Sequence, residues 1–362
     1  MLRSKFYRIY KPFSSDKKGY PYNLLNQLDI LSINKCLSRA KWNRSMPNFI
    51  LDKVEIISTS VCNYQCNFCD GHYLKAKDGP SRKELPLKII EKNILENLRK
   101  DKKFLGQDPI IILGGLYSEP LAYSNIIQLI KLLGKYQFRF AIYTNGFFLD
   151  DNLSKLICEN SLLAESLKPS YIAFNFTASF IYGDYQNLIK KMKNLVKLRN
   201  GINPRFQINV PIVVDQNKKF FSNKDLKQVS KVLSRIGIDA VRYSFPQEPI
   251  KPQPEFFIQK LLIQRNKREH IYFRSPSKPF DKCFVMTASL SIDPEGNVYP
   301  CSQTSHSYFK RLSFGSVRKN KLSEIWRSQT HKRLFKTFNP QLIDCRCNVV
   351  DGQLNRICCN FY

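Results

Sequence analysis

From about residue 51 to residue 250, short runs of β-branched and aromatic residues alternate with segments whose apolar residues recur every three or four positions. The first pattern suits a strand and the second an amphipathic helix. Residues 54 to 59 read as a first strand, and Leu87, Ile90, Ile94 and Leu98 recur at helical spacing behind it. Ile110 to Leu113 form a second strand, followed by a helix over 125–133, and residues 138 to 143 a third. Tyr171 to Phe174 make the fourth, followed by a helix over 184–198 whose Leu188, Met192, Leu195 and Val196 form an apolar stripe. Phe206 to Val214 are the fifth, backed by a helix over 224–236, and Ala240 to Ser244 the sixth. Strands alternating with helices in this way predict an α/β domain of βα units around a parallel sheet.

Beyond 250 the alternation stops. A segment rich in proline and charge, from about 246 to 282, reads as a connector. Residues 289 to 300 then read as a β-hairpin turning at Asp293 to Asn297, and Leu322, Ile325, Trp326 and Leu334 mark one helix over 322–335. The predicted organisation is an N-terminal extension (1–50), a core (51–250), the connector (251–282) and a small cysteine-rich C-terminal domain (283–362) of hairpin plus helix.

Cysteine changes the picture most. Cys62-Asn63-Tyr64-Gln65-Cys66-Asn67-Phe68-Cys69 follows the first strand directly, and active sites of parallel βα architectures lie at the carboxyl ends of strands. Three soft thiolates within eight residues wrap one iron–sulfur or zinc centre from a single loop. Three thiolates leave one iron of a 4Fe-4S cluster without a protein ligand. A zinc knuckle completed by a remote residue such as His72 is the other reading. The eleven cysteines are unevenly spread, no apolar leader opens the chain and no run is long enough to span a membrane, so a reducing cytoplasm is expected. Cys36 and Cys158, alone in apolar or helical surroundings, read as small buried hydrophobes.

The C-x3-C-x2-C run, with Phe68 before its last cysteine, resembles the signature of the radical S-adenosylmethionine (radical SAM) superfamily. The resemblance implies a partial (β/α)6 TIM-like barrel. It also implies that Cys62, Cys66 and Cys69 hold three irons while the methionyl amine and carboxylate of S-adenosylmethionine chelate the fourth. Gly114-Gly115, three residues before Ser118-Glu119-Pro120, is similar to the family's Gly-Gly-Glu-Pro turn after the second strand, whose backbone binds the methionyl amine. Gly114, Gly115 and Glu119 are the cofactor-binding candidates there. Thr144-Asn145-Gly146 resembles the Thr-Asn-Gly of many members, which adds Asn145. Where relatives carry a serine after the fourth strand, this chain offers Asn175 or Thr177, of which Asn175 is assigned.

Cys283-x12-Gly296-x4-Cys301 resembles the start of the SPASM or twitch extension of radical SAM enzymes, which carries auxiliary 4Fe-4S clusters. The tail departs from that pattern, with Cys345-Arg346-Cys347 and Cys358-Cys359 in place of C-x2-C-x5-C-x3-C. Six cysteines fall short of the roughly eight thiolates that two clusters need, so one auxiliary cluster is expected. Cys283, Cys301 and Cys345 are its expected ligands, with Cys347, Cys358 or Cys359 as the fourth. A zinc site built from the same residues is the structural alternative.

The net charge is +29, from 58 Lys and Arg against 29 Asp and Glu. Such a field attracts phosphates and nucleic acid, yet the excess is spread along the chain: ten Lys/Arg against two Asp in residues 1–50, and nine against one Glu in 301–340. The resemblance implies an enzyme that takes one electron from a donor such as flavodoxin or ferredoxin and cleaves S-adenosylmethionine to a 5′-deoxyadenosyl radical. That radical abstracts hydrogen from a C–H bond of a small-molecule, sugar-like or peptide substrate. An RNA-modifying radical SAM enzyme and a non-enzymatic, zinc-stapled nucleic-acid-binding protein are the alternatives.

Overall fold

The computed structural model describes residues 49–66, 68–69, 82–115, 118–213, 221, 223–244, 269–271, 281–305, 307–342 and 355, all within the compact unit Trp42–Tyr362. The N-terminal extension, most of the connector, Cys36, His72, Cys345, Cys347, Cys358 and Cys359 lie outside the described residues.

Six strands succeed one another side by side and in parallel: β1 (Leu51–Ile56), β2 (Leu105–Leu113), β3 (Arg139–Thr144), β4 (Tyr171–Phe174), β5 (Gln207–Val213) and β6 (Ala240–Ser244). Val54 pairs with Ile111 and Ile111 with Phe140, so one face of the sheet presents a continuous apolar row. Helices cover that face. Behind β1, Leu87–Ile89, Ile90–Leu95 and Glu96–Lys100 run on as α1, whose middle stretch is π-helical. α2 (Ile126–Lys135) buries Ile126, Leu129, Ile130 and Leu133 at the spacing of one helical face. α3 (Asp151–Leu162) starts where Asp150 accepts the Leu153 N–H at 2.7 Å, and it buries Cys158. A short α4 (Phe176–Ile181) precedes α5 (Tyr185–Ile202), and α6 (Asn223–Arg235) follows β5.

The strand sequence departs from expectation at its ends. β1 runs from 51 to 56 rather than 54 to 59, and β2 begins at Leu105, passing Pro109, where the pairing shifts register against β1. Proline has no N–H to give the ladder, so such an irregularity is its usual place in a strand.

The sheet continues past both ends of this core. β7 (Glu269–Ile271) adds in parallel to β6. On the other side β8 (Ser289–Ile292) lies parallel to β1, with Glu55 opposite Ser291, and β9 (Asn297–Tyr299) and β10 (Gly315–Ser316) follow antiparallel. The predicted hairpin is therefore present, and its first strand extends the barrel sheet. Its turn is held by Asp293, whose Oδ1 accepts the N–H groups of Glu295 and Asn297 at 2.9 and 2.8 Å. Among the described residues, β10 and β7 are the two edges of a ten-stranded sheet that is not closed.

The single C-terminal helix expected over 322–335 is two: α7 (Leu322–Trp326) and α8 (Gln329–Thr337). Ser328 breaks it by accepting the His331 N–H at 3.1 Å and starting a new helix. These helices are tied to the core. Asn97 of α1 and Ser323 exchange two hydrogen bonds, at 3.0 and 2.7 Å, and the Trp326 indole donates to Phe49 O at 3.2 Å.

Candidate active site

The carboxyl ends of β1 to β4 carry the cysteine loop, Gly114-Gly115, Thr144-Asn145 and Asn175, and hydrogen bonds join these loops directly. Glu119 N–H donates to Val61 O at 2.9 Å, Asn145 Nδ2 to Asn63 Oδ1 at 2.9 Å, and Asn175 N–H to Thr144 O at 2.8 Å. Ser179 Oγ donates to Asn145 O at 3.0 Å, and Gln65 N–H to the Tyr182 hydroxyl at 2.8 Å. The residues predicted in the loops after the first four strands are thus brought together at one end of the sheet.

Within the loop, Cys69 N–H donates to Cys66 O at 3.0 Å, closing a turn between these two cysteines. Cys66 is buried, while Cys62 and Cys69 are half-buried, and all three pack with Tyr64, Phe68 and Ala178. Burial, reinforced by the charges of Cys69 and Cys62, pushes the Cys66 thiol up to about 12. A bound metal centre takes cysteines as thiolates, so its binding here must release the Cys66 proton. Among the described residues, no three His, Cys, Asp or Glu side chains converge on a single ion. Three cysteines of one loop packed together fit a cubane cluster, whose cysteines bind three different irons.

Glu119 sits beside this loop, 2 % exposed. Its Oε1 accepts the Thr144 hydroxyl at 2.5 Å and the Leu121 N–H at 3.1 Å, and its Oε2 accepts the Asn145 N–H at 2.7 Å. Desolvation outweighs these donors and lifts the carboxyl to about 7. Gly115 adopts φ +151°, and a Cβ there would stand 2.9 Å from Ile57 Cγ2. Only glycine suits that backbone and that spacing. Asn175 caps α4 by accepting the Ala178 N–H at 3.4 Å, while Thr177 Oγ1 is tied to both Val213 N–H and O at 2.7 and 3.0 Å. The Thr177 hydroxyl is therefore committed to β5, as the Asn175 side-chain oxygen is to the start of α4.

Tyr64 was not legible as a site residue from the sequence. Its ring stacks on Tyr182 at 4.4 Å between centroids and its hydroxyl donates to Asp184 at 3.3 Å, which backs the cysteine loop with α4 and α5. Its place between Cys62 and Cys66 was the one available signal.

In the tail, Cys283 is buried and accepts from Asn355 Nδ2 at 3.8 Å, while Asn355 Oδ1 takes the N–H groups of Phe284 and Val285 at 2.6 and 3.2 Å. Cys301 is half-buried beside Thr304. Both thiols border β8 and β9.

The family profile of the radical SAM superfamily matches residues 56–178, and that of the SPASM domain, an iron–sulfur cluster-binding domain, matches 283–348. The chain is 24 % identical over 326 residues to the tungsten-containing aldehyde ferredoxin oxidoreductase cofactor-modifying protein of Pyrococcus furiosus, covering 79 % of this chain and 85 % of that one. It is 27 % identical over 291 residues to an S-adenosylmethionine-dependent nucleotide dehydratase of Fibrobacter sp., covering 72 % and 80 %. Among solved structures, Streptococcus suis SuiB bound to S-adenosylmethionine superposes with a TM-score of 0.59 at 14 % identity, over 95 % of this chain and 80 % of that one, a likeness of fold. A partial parallel barrel, a three-cysteine loop at its mouth and a cysteine-bearing hairpin at its edge thus meet two matching family profiles. The chain belongs to the radical SAM superfamily and carries a C-terminal SPASM domain. Its cofactors are S-adenosylmethionine and 4Fe-4S clusters, one of them SAM-binding and one auxiliary. No described helix is long and apolar enough to cross a membrane.

Proposed function

We propose that this chain is a cytoplasmic radical SAM enzyme that abstracts hydrogen from a C–H bond of a small polar substrate. The observation that carries the proposal is the clustering of the Cys62, Cys66 and Cys69 thiols against the Glu119–Asn145–Asn63 hydrogen-bonded chain. When bound, the cluster and S-adenosylmethionine supply a reductively generated hydrogen-abstracting radical, with the electron coming from an external donor such as flavodoxin or ferredoxin.

The chain's own residues hold and orient. Cys62, Cys66 and Cys69 would ligate the SAM-binding cluster, and the backbone at Gly114 and Gly115 would lie against the methionyl amine. Glu119 fixes the Thr144-Asn145 turn, and Asn145 in turn fixes Asn63 between the first two cysteines. Asn175, at the start of α4, would face the ribose. Cys283 and Cys301 would begin the auxiliary site, with Cys345 and one of Cys347, Cys358 or Cys359 completing it. The auxiliary cluster would anchor substrate or accept the electron that an oxidised product leaves behind. The nucleotide dehydratase and cofactor-modifying relatives favour a small molecule over a peptide.

The test is anaerobic reconstitution with iron and sulfide followed by reduction with S-adenosylmethionine present. The wild-type chain is expected to release 5′-deoxyadenosine and Cys66→Ala to release none. Normal release by Cys66→Ala rules the assignment out.

A further inference from the structure

Among the described residues, three aromatic side chains stand open to solvent, Phe147, Phe148 and Tyr182, and all three lie beside the cysteine loop. Together with Ile181 they are between 39 and 46 % exposed. Their rings are continuous with the loop itself. Tyr64 stacks on Tyr182 at 4.4 Å between centroids and meets Phe147 edge-on at 6.1 Å, and Phe147 meets Phe148 at 5.1 Å. The turn after β3 holds the two phenylalanines in place, because Phe147 N–H donates to Asn145 Oδ1 at 2.9 Å. Exposed apolar side chains scattered singly need no explanation, but a contiguous aromatic patch rimmed by charge marks a docking surface.

The rim is basic. α5 carries Lys190, Lys191, Lys193 and Lys197 and no acid. Lys191 Nζ stands 5.8 Å from the centroid of the Phe147 ring and donates to Gly146 O at 3.2 Å, which joins the helix to the patch. Lys190, Lys193 and Lys197 recur on the side of α5 away from its buried Leu188, Met192 and Leu195. All three are exposed, and none forms an ion pair among the described residues. The acids close by serve the site's own structure: Asp184 accepts from the Tyr64 hydroxyl, and Asp150 caps α3.

We infer that this patch is where the electron donor docks, and that the donor is a small acidic one-electron carrier protein: its apolar centre seats on Phe147, Phe148, Ile181 and Tyr182, and its acidic rim meets Lys190, Lys193 and Lys197. The inference rests on the radical SAM reading, which needs an electron from outside the chain, and deepens it to the donor's docking surface and charge. Electron transfer weakens steeply with distance. Tyr64 belongs both to the patch and to the loop, between Cys62 and Cys66, so a carrier seated here is one ring away from the cysteine loop. In the step itself one electron leaves the reduced carrier and enters the SAM-binding cluster; the carrier is oxidised by one, the cluster reduced by one, and no proton or group crosses with it. Electron-transfer encounters bury little area and must part again, which suits a few rings within a charged rim. Opposite charges speed such encounters, and a net charge of +29 favours an acidic carrier over a basic one.

Anaerobic 5′-deoxyadenosine release by the cluster-loaded chain, driven either by reduced flavodoxin, an acidic carrier protein, or by dithionite, which needs no docking surface, separates docking from chemistry. In the Lys190/Lys193/Lys197→Glu variant the flavodoxin-driven rate at limiting flavodoxin should fall at least fivefold, while iron content and the dithionite-driven rate stay at wild-type levels. The corresponding triple change to Arg should keep the wild-type rate. Added salt should slow the flavodoxin-driven reaction of the wild type and leave that of the Glu variant nearly unchanged. Phe148→Ser should lower the flavodoxin-driven rate severalfold without altering its salt dependence. Wild-type flavodoxin-driven rates in both the Glu variant and Phe148→Ser overturn the inference and leave the radical SAM reading standing. So does a Glu variant that loses affinity for unfractionated tRNA but accepts electrons from flavodoxin normally, since the lysines then serve nucleic acid. A wild-type chain that releases no 5′-deoxyadenosine with either reductant overturns both.

Discussion

Asn145 donates through Nδ2 to Asn63 Oδ1 at 2.9 Å, so the turn after the third strand holds the spacer between the first two cysteines. The same side chain accepts the Phe147 N–H at 2.9 Å, and its own N–H is taken by Glu119. The cysteine loop is therefore braced from the neighbouring turns at the same end of the sheet by a route that contains no thiol. Its order depends on β2 and β3 as much as on β1.

Asn145→Ala removes two neutral hydrogen bonds, each worth about 1 kcal/mol net. The cluster should still assemble, but with S-adenosylmethionine bound about fivefold or more weakly and iron lost faster to a chelator. Unchanged affinity and unchanged iron retention would show that Asn63 needs no brace.

Gly115→Ala places a Cβ 2.9 Å from Ile57 Cγ2 on a backbone at φ +151°, a conformation that costs roughly 1–3 kcal/mol for other residues. If the backbone there lies against the methionyl amine, affinity for S-adenosylmethionine should fall at least tenfold, measured by equilibrium dialysis with the cluster loaded. Wild-type affinity in Gly115→Ala removes Gly115 from the cofactor site.

Two buried groups titrate in opposite senses. Glu119 is raised from 4.5 to about 7, so between those values the folded state holds a proton that the unfolded state has released, and stability falls as pH rises. His331, fully buried with Nδ1 against Trp326 O and Nε2 2.9 Å from Met286 O, is lowered by burial from 6.5 to about 4. Between 4 and 6.5 the unfolded state binds the extra proton, and stability falls as pH drops. Each contributes at most about 3 kcal/mol over its window, and from 4.5 to 6.5 they cancel. Urea unfolding across pH should therefore be flat there in the wild type, decline with rising pH in His331→Gln, and decline with falling pH in Glu119→Gln. Parallel curves for all three proteins would refute both assignments.

What could be read from the sequence was local. The Cys62, Cys66 and Cys69 spacing, the six core strands and the Asp293 turn each depend on residues a few positions apart. The pairing of Glu55 with Ser291 joins residues more than two hundred positions apart, and no periodicity announces it. The expectation of a separate hairpin missed that β8 extends the barrel sheet for this reason. Ser328 sat within an apolar helical pattern whose flanks hid its cap. Glu119 carried a family resemblance, but its partners Thr144 and Asn145 lie on another strand's turn, so its bracing role emerged only once the loops were placed together.

The tail is where this chain departs most from its family's spacing, and deleting the core site isolates it. In the Cys62/Cys66/Cys69→Ala triple variant the SAM-binding cluster has no thiolates left, so any remaining iron belongs to the C-terminal cysteines. Cys283 and Cys301 flank a hairpin that is itself part of the barrel sheet, which should keep the tail folded without the core cluster. Iron and sulfide analysis after anaerobic reconstitution should give about four of each per chain, as one 4Fe-4S centre requires. Adding Cys283→Ala should then lower both, because Cys283 is buried at the base of the hairpin with Asn355 Nδ2 donating to its sulfur at 3.8 Å. Stoichiometric zinc without iron would make the tail a structural staple and remove the electron acceptor from the proposed reaction, favouring hydrogen abstraction without net oxidation. About eight irons would mean that the six C-terminal cysteines support two clusters, with non-thiolate ligands completing them.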